Sequence, residues 1–120
     1  VEDERAIGDL VRDLIDAWNR CDAEAFAASF GASADYVSGL GDRVHGRDGI
    51  AGLVRRSAAL SPVVMTGPPV IECDGPAATV RFTWAAVEPR EKRRDGIITC
   101  TLTGQGARWL IQALRNDESE

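Results

Sequence analysis

Near the start of the chain, apolar side chains fall at Ile7, Leu10, Val11, Leu14, Ile15 and Trp18. That i, i+3, i+4, i+7 spacing draws one apolar stripe down a helix of 3.6 residues per turn. Glu2, Asp3 and Glu4 sit at its beginning, where the helix dipole favours negative charge. The pattern predicts a helix running to about Arg20. Asp22 then reads as the N-cap of a shorter second helix in "AEAFAASF", with Phe26 and Phe30 on one face and Gly31 as its stop. "ADYVSGL", residues 34–40, is a strand. "GRDGIAGLVRRSAAL" is a third helix with Ile50, Leu53, Val54 and Leu60 as its buried stripe. Gly49 and Gly52 each cost that helix about 1 kcal/mol relative to Ala, which predicts close packing or a frayed first turn.

After Pro62 the period changes to two. "VVMTGPPVIEC" is a strand interrupted by Gly67-Pro68-Pro69, which cannot serve a central ladder and signals an edge or a bulge. "CDGP" is a turn. In "AATVRFTWAAV", Val80, Phe82 and Trp84 alternate with Thr79, Arg81 and Thr83, so one face is buried and one is not. "IITCTLT" and "ARWLIQALRN" are two further strands joined by "GQG". Between them and the preceding strand, "EPREKRRDG" reads as a solvated hairpin loop. Its four basic and three acidic side chains from Glu88 to Asp95 nearly cancel. The order is three helices, one strand set between the second and third, and four antiparallel strands afterwards. Strands segregated from helices predict an α+β domain, its helices packed on one face of a curved sheet. No repeat, linker or low-complexity stretch divides residues 1–120, so a single domain is expected.

Composition narrows the function classes. A chain of 120 residues can bury roughly two-thirds of its unfolded surface, enough for a core without disulfides or a metal. A net charge of −5 argues against nucleic acid, whose phosphates demand a basic surface. Cys21, Cys73 and Cys100 form no C-x-x-C pair, which suits a reducing, cytoplasmic setting with the thiols as small apolar fillers. No apolar run approaches the ~20 residues that span a bilayer, and no signal-peptide pattern opens the sequence, so no membrane role is expected. There is no dinucleotide fingerprint, flavin motif or redox cysteine pair, hence no expected cofactor. One histidine and scattered acids fall short of a metal site.

"LIDAWNRCDAEAFAASF", "ADYVSGLGDRVHGRDGI" and "ARWLIQALRN" together resemble the helix junction, strand-corner-helix segment and closing strand of the SnoaL-like, or nuclear transport factor 2-like, superfamily. Within it they are similar to the SgcJ/EcaC group. The resemblance implies a cone: a strongly curved, mostly antiparallel sheet wrapped around three N-terminal-half helices, the cystatin-like architecture, with an internal pocket. A homodimer is expected whether the chain binds a small molecule or serves as an association module. The resemblance does not select a reaction, because this scaffold serves isomerases, cyclases, hydratases, epoxide hydrolases and non-catalytic binding modules. Ketosteroid isomerases of the superfamily carry a general-base Asp on the first strand and an oxyanion-stabilising Tyr on the first helix. By the resemblance those positions are Ser38 and Leu14, which can do neither job. The closing strand has Arg115-Asn116 where the group usually has His-Asn, a permanent cation in place of a titrating imidazole.

What remains is a set of candidate pocket residues. Tyr36, Ser38 and Leu40 share a strand face that, by the resemblance, looks into the cavity. Tyr36 would give an aromatic wall with a hydroxyl tip, or equally a core ring. Of Trp18, Trp84 and Trp109, one or two are expected at the cavity and the rest in the core. His45 would need Ser38 and a distant acid to make a triad, and no nucleophile-elbow sequence supports one; a surface or capping role is the better reading. Asp35 should point away from the pocket. Arg115 could hold an anionic substrate or an enolate oxygen through its planar fork, beside Asn116. The candidate ligand set is therefore Trp18, Tyr36, Ser38, His45, Trp84, Arg115 and Asn116. Two functions compete. One is a small-molecule protein, with or without catalysis, holding a hydrophobic polyketide-like ligand in a cavity on the order of several hundred Å³. The other is a non-catalytic homodimeric association module with a vestigial pocket, pairing through polar Thr79, Arg81, Thr83, Thr99 and Thr101.

Overall fold

Helix α1 (Glu2–Asn19) buries Ile7, Val11, Leu14 and Ala17, and half-buries Leu10, Ile15 and Trp18, so the stripe is one continuous inward face. The fold is described from a computed structural model covering residues 2–39, 41–57, 62–87, 94–105 and 108–118. α1 ends in a Schellman turn. The Asp22 N–H donates to the Ala17 carbonyl at 2.9 Å and the Cys21 N–H to that of Trp18 at 3.0 Å. Cys21 adopts the left-handed φ of 57° this turn needs, a place glycine usually fills. Asp22 then caps α2 (Ala23–Ala28), accepting from the Ala25 N–H at 3.1 Å.

Phe30 does not close α2. The helix stops at Ala28 and β1 (Phe30–Val37) starts four residues ahead of the expected Ala34. Tertiary bonds decide the handover: Ile111 donates to the Ser29 carbonyl at 2.9 Å and Arg47 Nε to that of Phe30 at 2.8 Å. Gly31 is correspondingly no helix stop, since it lies in the strand with the Gln112 side chain where a Cβ would be. Phe26 and Phe30 still meet, with ring centroids 5.5 Å apart, across a helix–strand contact rather than along a helix.

β2 (Arg43–His45), a strand the sequence pattern did not predict, pairs with β1. α3 (Gly46–Ser57) buries Ile50, Leu53 and Val54. Leu60 on the same stripe, Leu40 on the first strand, residues 88–93 of the charged loop and the last residue of "GQG" lie outside the described residues. The expected interrupted strand is two strands, β3 (Val63–Met65) and β4 (Val70–Asp74), separated by Gly67-Pro68-Pro69. Both lie on one edge of β5 (Ala77–Ala86). β6 (Asp95–Gln105) and β7 (Arg108–Glu118) complete the sheet.

The described residues thus form three helices and an open, mixed sheet of seven strands, ordered β2-β1-β7-β6-β5-β3 with β4 also on β5. The β1–β7 pair is parallel and the rest are antiparallel. The pairing shifts register between Phe30 and Asp35 and between Thr101 and Leu102, irregularities of the kind that bend a strand and increase its twist. This is the α+β cystatin-like architecture. Ala78, Val80, Phe82 and Trp84 face the helices, while Thr79, Arg81 and Thr83 face away.

One glycine permits the strand packing near the sheet's end. Trp84 is opposite Gly96 in the β5–β6 register. A Cβ on Gly96 would stand 2.9 Å from Trp84 Nε1 and 2.7 Å from the Asp117 carbonyl oxygen, so the bare backbone is what lets the indole cross β6. Gly96→Ala is expected to cost about 1–3 kcal/mol through overpacking. Gly8→Ala, on a helix with open space at the Cβ position, is expected to gain about 1 kcal/mol. Urea denaturation midpoints of the two variants, moving in opposite directions, check both.

Candidate functional site

The cavity grows from strand alternation. On β7, period two turns Leu114, Asn116 and Glu118 to the inner face, and all three line one cavity of about 110 Å³. The parallel register sets Tyr36 of β1 beside Leu114; Tyr36, then Ser38 and Gly39 beyond the strand, form the adjoining wall. Phe82 and Trp84 of β5 and Ile98 of β6 continue it. The helices supply the facing wall through Leu14, Ile15 and Trp18 of α1, Phe26 of α2 and Leu53 of α3. Asn19 at the end of α1 bonds the Val63 backbone twice, Nδ2 to O and N–H to Oδ1, each at 2.8 Å. That holds β3 against the helix and brings Val63 to the cavity edge.

Aromatic rings make the deep end. Phe26 lies 5.8 Å from Trp18 and 6.2 Å from Tyr36 between centroids, and Phe30 lies 6.1 Å from Tyr36. Tilted stacks at such distances are favourable ring geometries. At the other end, Trp84 Nε1–H donates to Asn116 Oδ1 at 2.9 Å. Arg94 sits 6.0 Å from the Trp84 ring centroid and forks onto Glu118, with Nε to Oε1 at 2.6 Å and Nη2 to Oε2 at 3.2 Å. The bond to Glu118 raises the Arg94 pKa, outweighing the opposing effect of burial. Gly39 packs where a side chain would collide with Glu118. The corner after β1 is tied by Ser38 N–H to the Asp42 carbonyl at 2.8 Å and by Asp42 N–H to Ser38 Oγ at 3.1 Å. Asp42 brings a second carboxylate to the rim.

Of the residues singled out in the sequence, Trp18, Tyr36, Ser38, Trp84 and Asn116 line this one cavity. His45 and Arg115 do not, and the same alternation explains both. His45 is opposite Asp35 on the outer side of the β1–β2 pair, with Nδ1 to Oδ1 at 2.7 Å and both side chains more than two-thirds exposed. Arg115, between two inward residues, points out and bonds Asp117 at 2.9 Å. Trp109 is buried in the core. Sequence reasoning missed Arg94, Glu118, Asp42 and the aliphatic walls. Extending the Leu114–Asn116 alternation by one step would have found Glu118; nothing local marks Arg94, which the strand pairing carries to the mouth. The cavity is also smaller than the several hundred Å³ expected, because Trp18, Phe26, Tyr36 and Trp84 all occupy it.

Chemically, the interior is neutral. Tyr36 is 5 % exposed, and its pKa is raised well above the ordinary 10.0, first by burial and then by nearby Cys100. Burial likewise pushes the Cys100 thiol from 9.0 up to about 12. Among the described residues no group of three His, Cys, Asp or Glu is placed to hold a metal ion, and no helix is long and apolar enough to cross a membrane. Leu14 and Ser38 both reach the cavity. They bring to it a methyl-rich wall and a hydroxyl already accepting a backbone bond, not an acid and a base.

The chain belongs to the SnoaL-like domain family, which it matches over residues 1–117. It is similar in structure to a domain of unknown function with a cystatin-like fold from Nostoc punctiforme (26% identity, TM-score 0.85, covering 100% of this chain and 79% of that one). A nuclear transport factor 2-like protein from Novosphingobium aromaticivorans is 22% identical, with a TM-score of 0.80 over 96% of this chain and 80% of that one. A member of the same superfamily from Salmonella enterica is 17% identical, with a TM-score of 0.80 over 93% of this chain and 87% of that one. The last two show the fold alone. No curated protein matches the sequence.

The two raised acids set a pH dependence. Each keeps its proton in the native state at a pH where the unfolded chain releases it. Above the ordinary thiol value the native state therefore binds more protons, and stability falls as pH rises. The contribution is full below 9.0 and is lost toward about 12 for Cys100, with Tyr36 adding in the same direction from 10.0 upward. Urea midpoints are expected to drop between about pH 8 and about pH 10.5. A thiol reagent at the lower pH should label exposed Cys21 and Cys73 and spare Cys100.

Proposed function

We propose that this protein binds a small, largely apolar molecule of polyketide-like or similar ring chemistry in the cavity between α1 and the sheet. The carrying observation is convergence: Tyr36 of β1, Ser38 of the corner after it and Asn116 of β7, far apart in sequence, meet on one cavity whose remaining walls are mostly aliphatic and aromatic. A few polar groups set in an apolar concavity are the usual composition of a ligand site. Membership of the SnoaL-like family supports the reading, and the SgcJ/EcaC group is the subdivision the sequence most resembles. Among the described residues that line the cavity no general acid–base pair stands out, so the proposal is for binding rather than a named reaction. The exposed thiols of Cys21 and Cys73 suit a reducing compartment, the cytoplasm. A non-catalytic homodimeric module with a filled interior is the competing reading, and the open cavity disfavours it. A dimer formed through outward-facing Thr79, Arg81, Thr83, Thr99 and Thr101 is compatible with binding as well.

Native mass spectrometry of the protein purified from its own host is the test. A reproducible small-molecule adduct, lost on unfolding, is expected. Leu14→Trp, which fills the cavity, should lose it, while His45→Ala and Arg115→Ala should keep it. A clean apo spectrum, with no response to a panel of aromatic polyketides, overturns the proposal in favour of the association module.

A further inference from the structure

The size and polarity of the enclosed group follow from two features of the cavity, on the premise that the binding reading above holds. The first is volume. The cavity measures about 110 Å³, and an apolar cavity of about 150 Å³ takes one benzene. A fused polycycle cannot be enclosed. At most one ring can be enclosed, with any remainder of the molecule projecting past the rim.

The second is the orientation of donors. The Trp84 indole N–H only donates, so the Asn116 atom 2.9 Å from it is the carbonyl oxygen and the Nδ2 group turns the other way. Neither Asn116 Nδ2 nor the Tyr36 hydroxyl has a hydrogen-bond partner among the described residues. No buried polar side-chain atom among those residues lacks a partner, so both groups must open onto free space. For Tyr36, almost wholly enclosed, that space is the cavity. Both residues line the cavity, and register sets them at neighbouring inward positions: Tyr36 is beside Leu114, and Asn116 is the next inward residue on β7, about 7 Å along the strand backbone. The carboxylates of Asp42 and Glu118 line the same cavity, the latter already bound by Arg94.

We infer that the cavity encloses a single uncharged ring carrying a carbonyl-type oxygen, which accepts hydrogen bonds from Tyr36 and Asn116. An apolar ring without the oxygen would strip water from both donors and return nothing. An anionic ring would meet the carboxylate of Asp42, while the Arg94 cation is already engaged by Glu118.

Four probes test this by titration on the folded protein: acetophenone, ethylbenzene and benzoate by ligand-observed NMR, and 2-acetylanthracene by its own fluorescence. Acetophenone is expected to bind roughly tenfold tighter than ethylbenzene, with benzoate and 2-acetylanthracene weaker than acetophenone. Asn116→Asp keeps an acceptor for the Trp84 N–H but loses the donor, and Tyr36→Phe loses the phenol. Each should erase most of the acetophenone advantage while leaving ethylbenzene binding nearly unchanged, with unaltered circular dichroism showing that the fold is intact. Equal binding of acetophenone and ethylbenzene, a preference for 2-acetylanthracene, or variants that retain the wild-type preference would each overturn this inference and leave the binding reading standing. Failure of all four probes to bind would overturn the binding reading with it.

Discussion

The indole of Trp84 is the piece on which the cavity depends. It starts on β5, crosses β6 where Gly96 has no side chain, and ends in a hydrogen bond to Asn116 on β7. Three strands are thereby locked at one spacing by a single rigid side chain. Arg94 over its face, and the Arg94–Glu118 fork beside it, hold the ring at the mouth. An aromatic ring with a polar tip suits this place: the ring shields the interior and the N–H reaches a partner at the boundary. Because the tip can only donate, it also fixes which way the Asn116 amide faces.

Alternation then sorts charge from neutrality. Along β7, Leu114, Asn116 and Glu118 turn inward while Arg115 and Asp117 turn out and pair with each other. Along β1, Tyr36 turns inward while Asp35 turns out to His45. The outer pairs sit in water, where such ion pairs contribute little to stability. Inside, burial keeps both Tyr36 and Cys100 protonated. The lone histidine is left on the outer face, away from the cavity.

Much of this was legible from periodicity. The α1 stripe, the Asp22 cap and the β5 alternation are local properties, and each is present in the fold. The helix-to-strand handover at Phe30 was not legible, because it is decided by Ile111 and Arg47, remote in sequence. β2 is too short to carry a period of its own. Among site residues, Tyr36 and Asn116 could be placed by counting along a strand. His45 and Arg115 were attractive for their chemistry, but position on the pleat, which no side chain chooses for itself, turned them away. Gly96 reads in the sequence as a loop glycine; its role appears once the β5–β6 register is known.

The parallel pairing of β1 with β7 has a consequence for when the cavity comes into being. It joins Phe30 to Ile111 and Val37 to Arg115, so the wall bearing Tyr36 and the wall bearing Asn116 meet across most of the chain. Closing so long a loop adds little thermodynamic penalty beyond that of a shorter one, but contacts of this separation form late and slow the search. A partly folded chain, with its helices and the β5–β6 hairpin in place, would have the apolar walls and no pocket between them. Ligand affinity in this protein should therefore appear in a single step, at the end of folding, and a bound ligand would act on that final joint more than on any other part of the molecule.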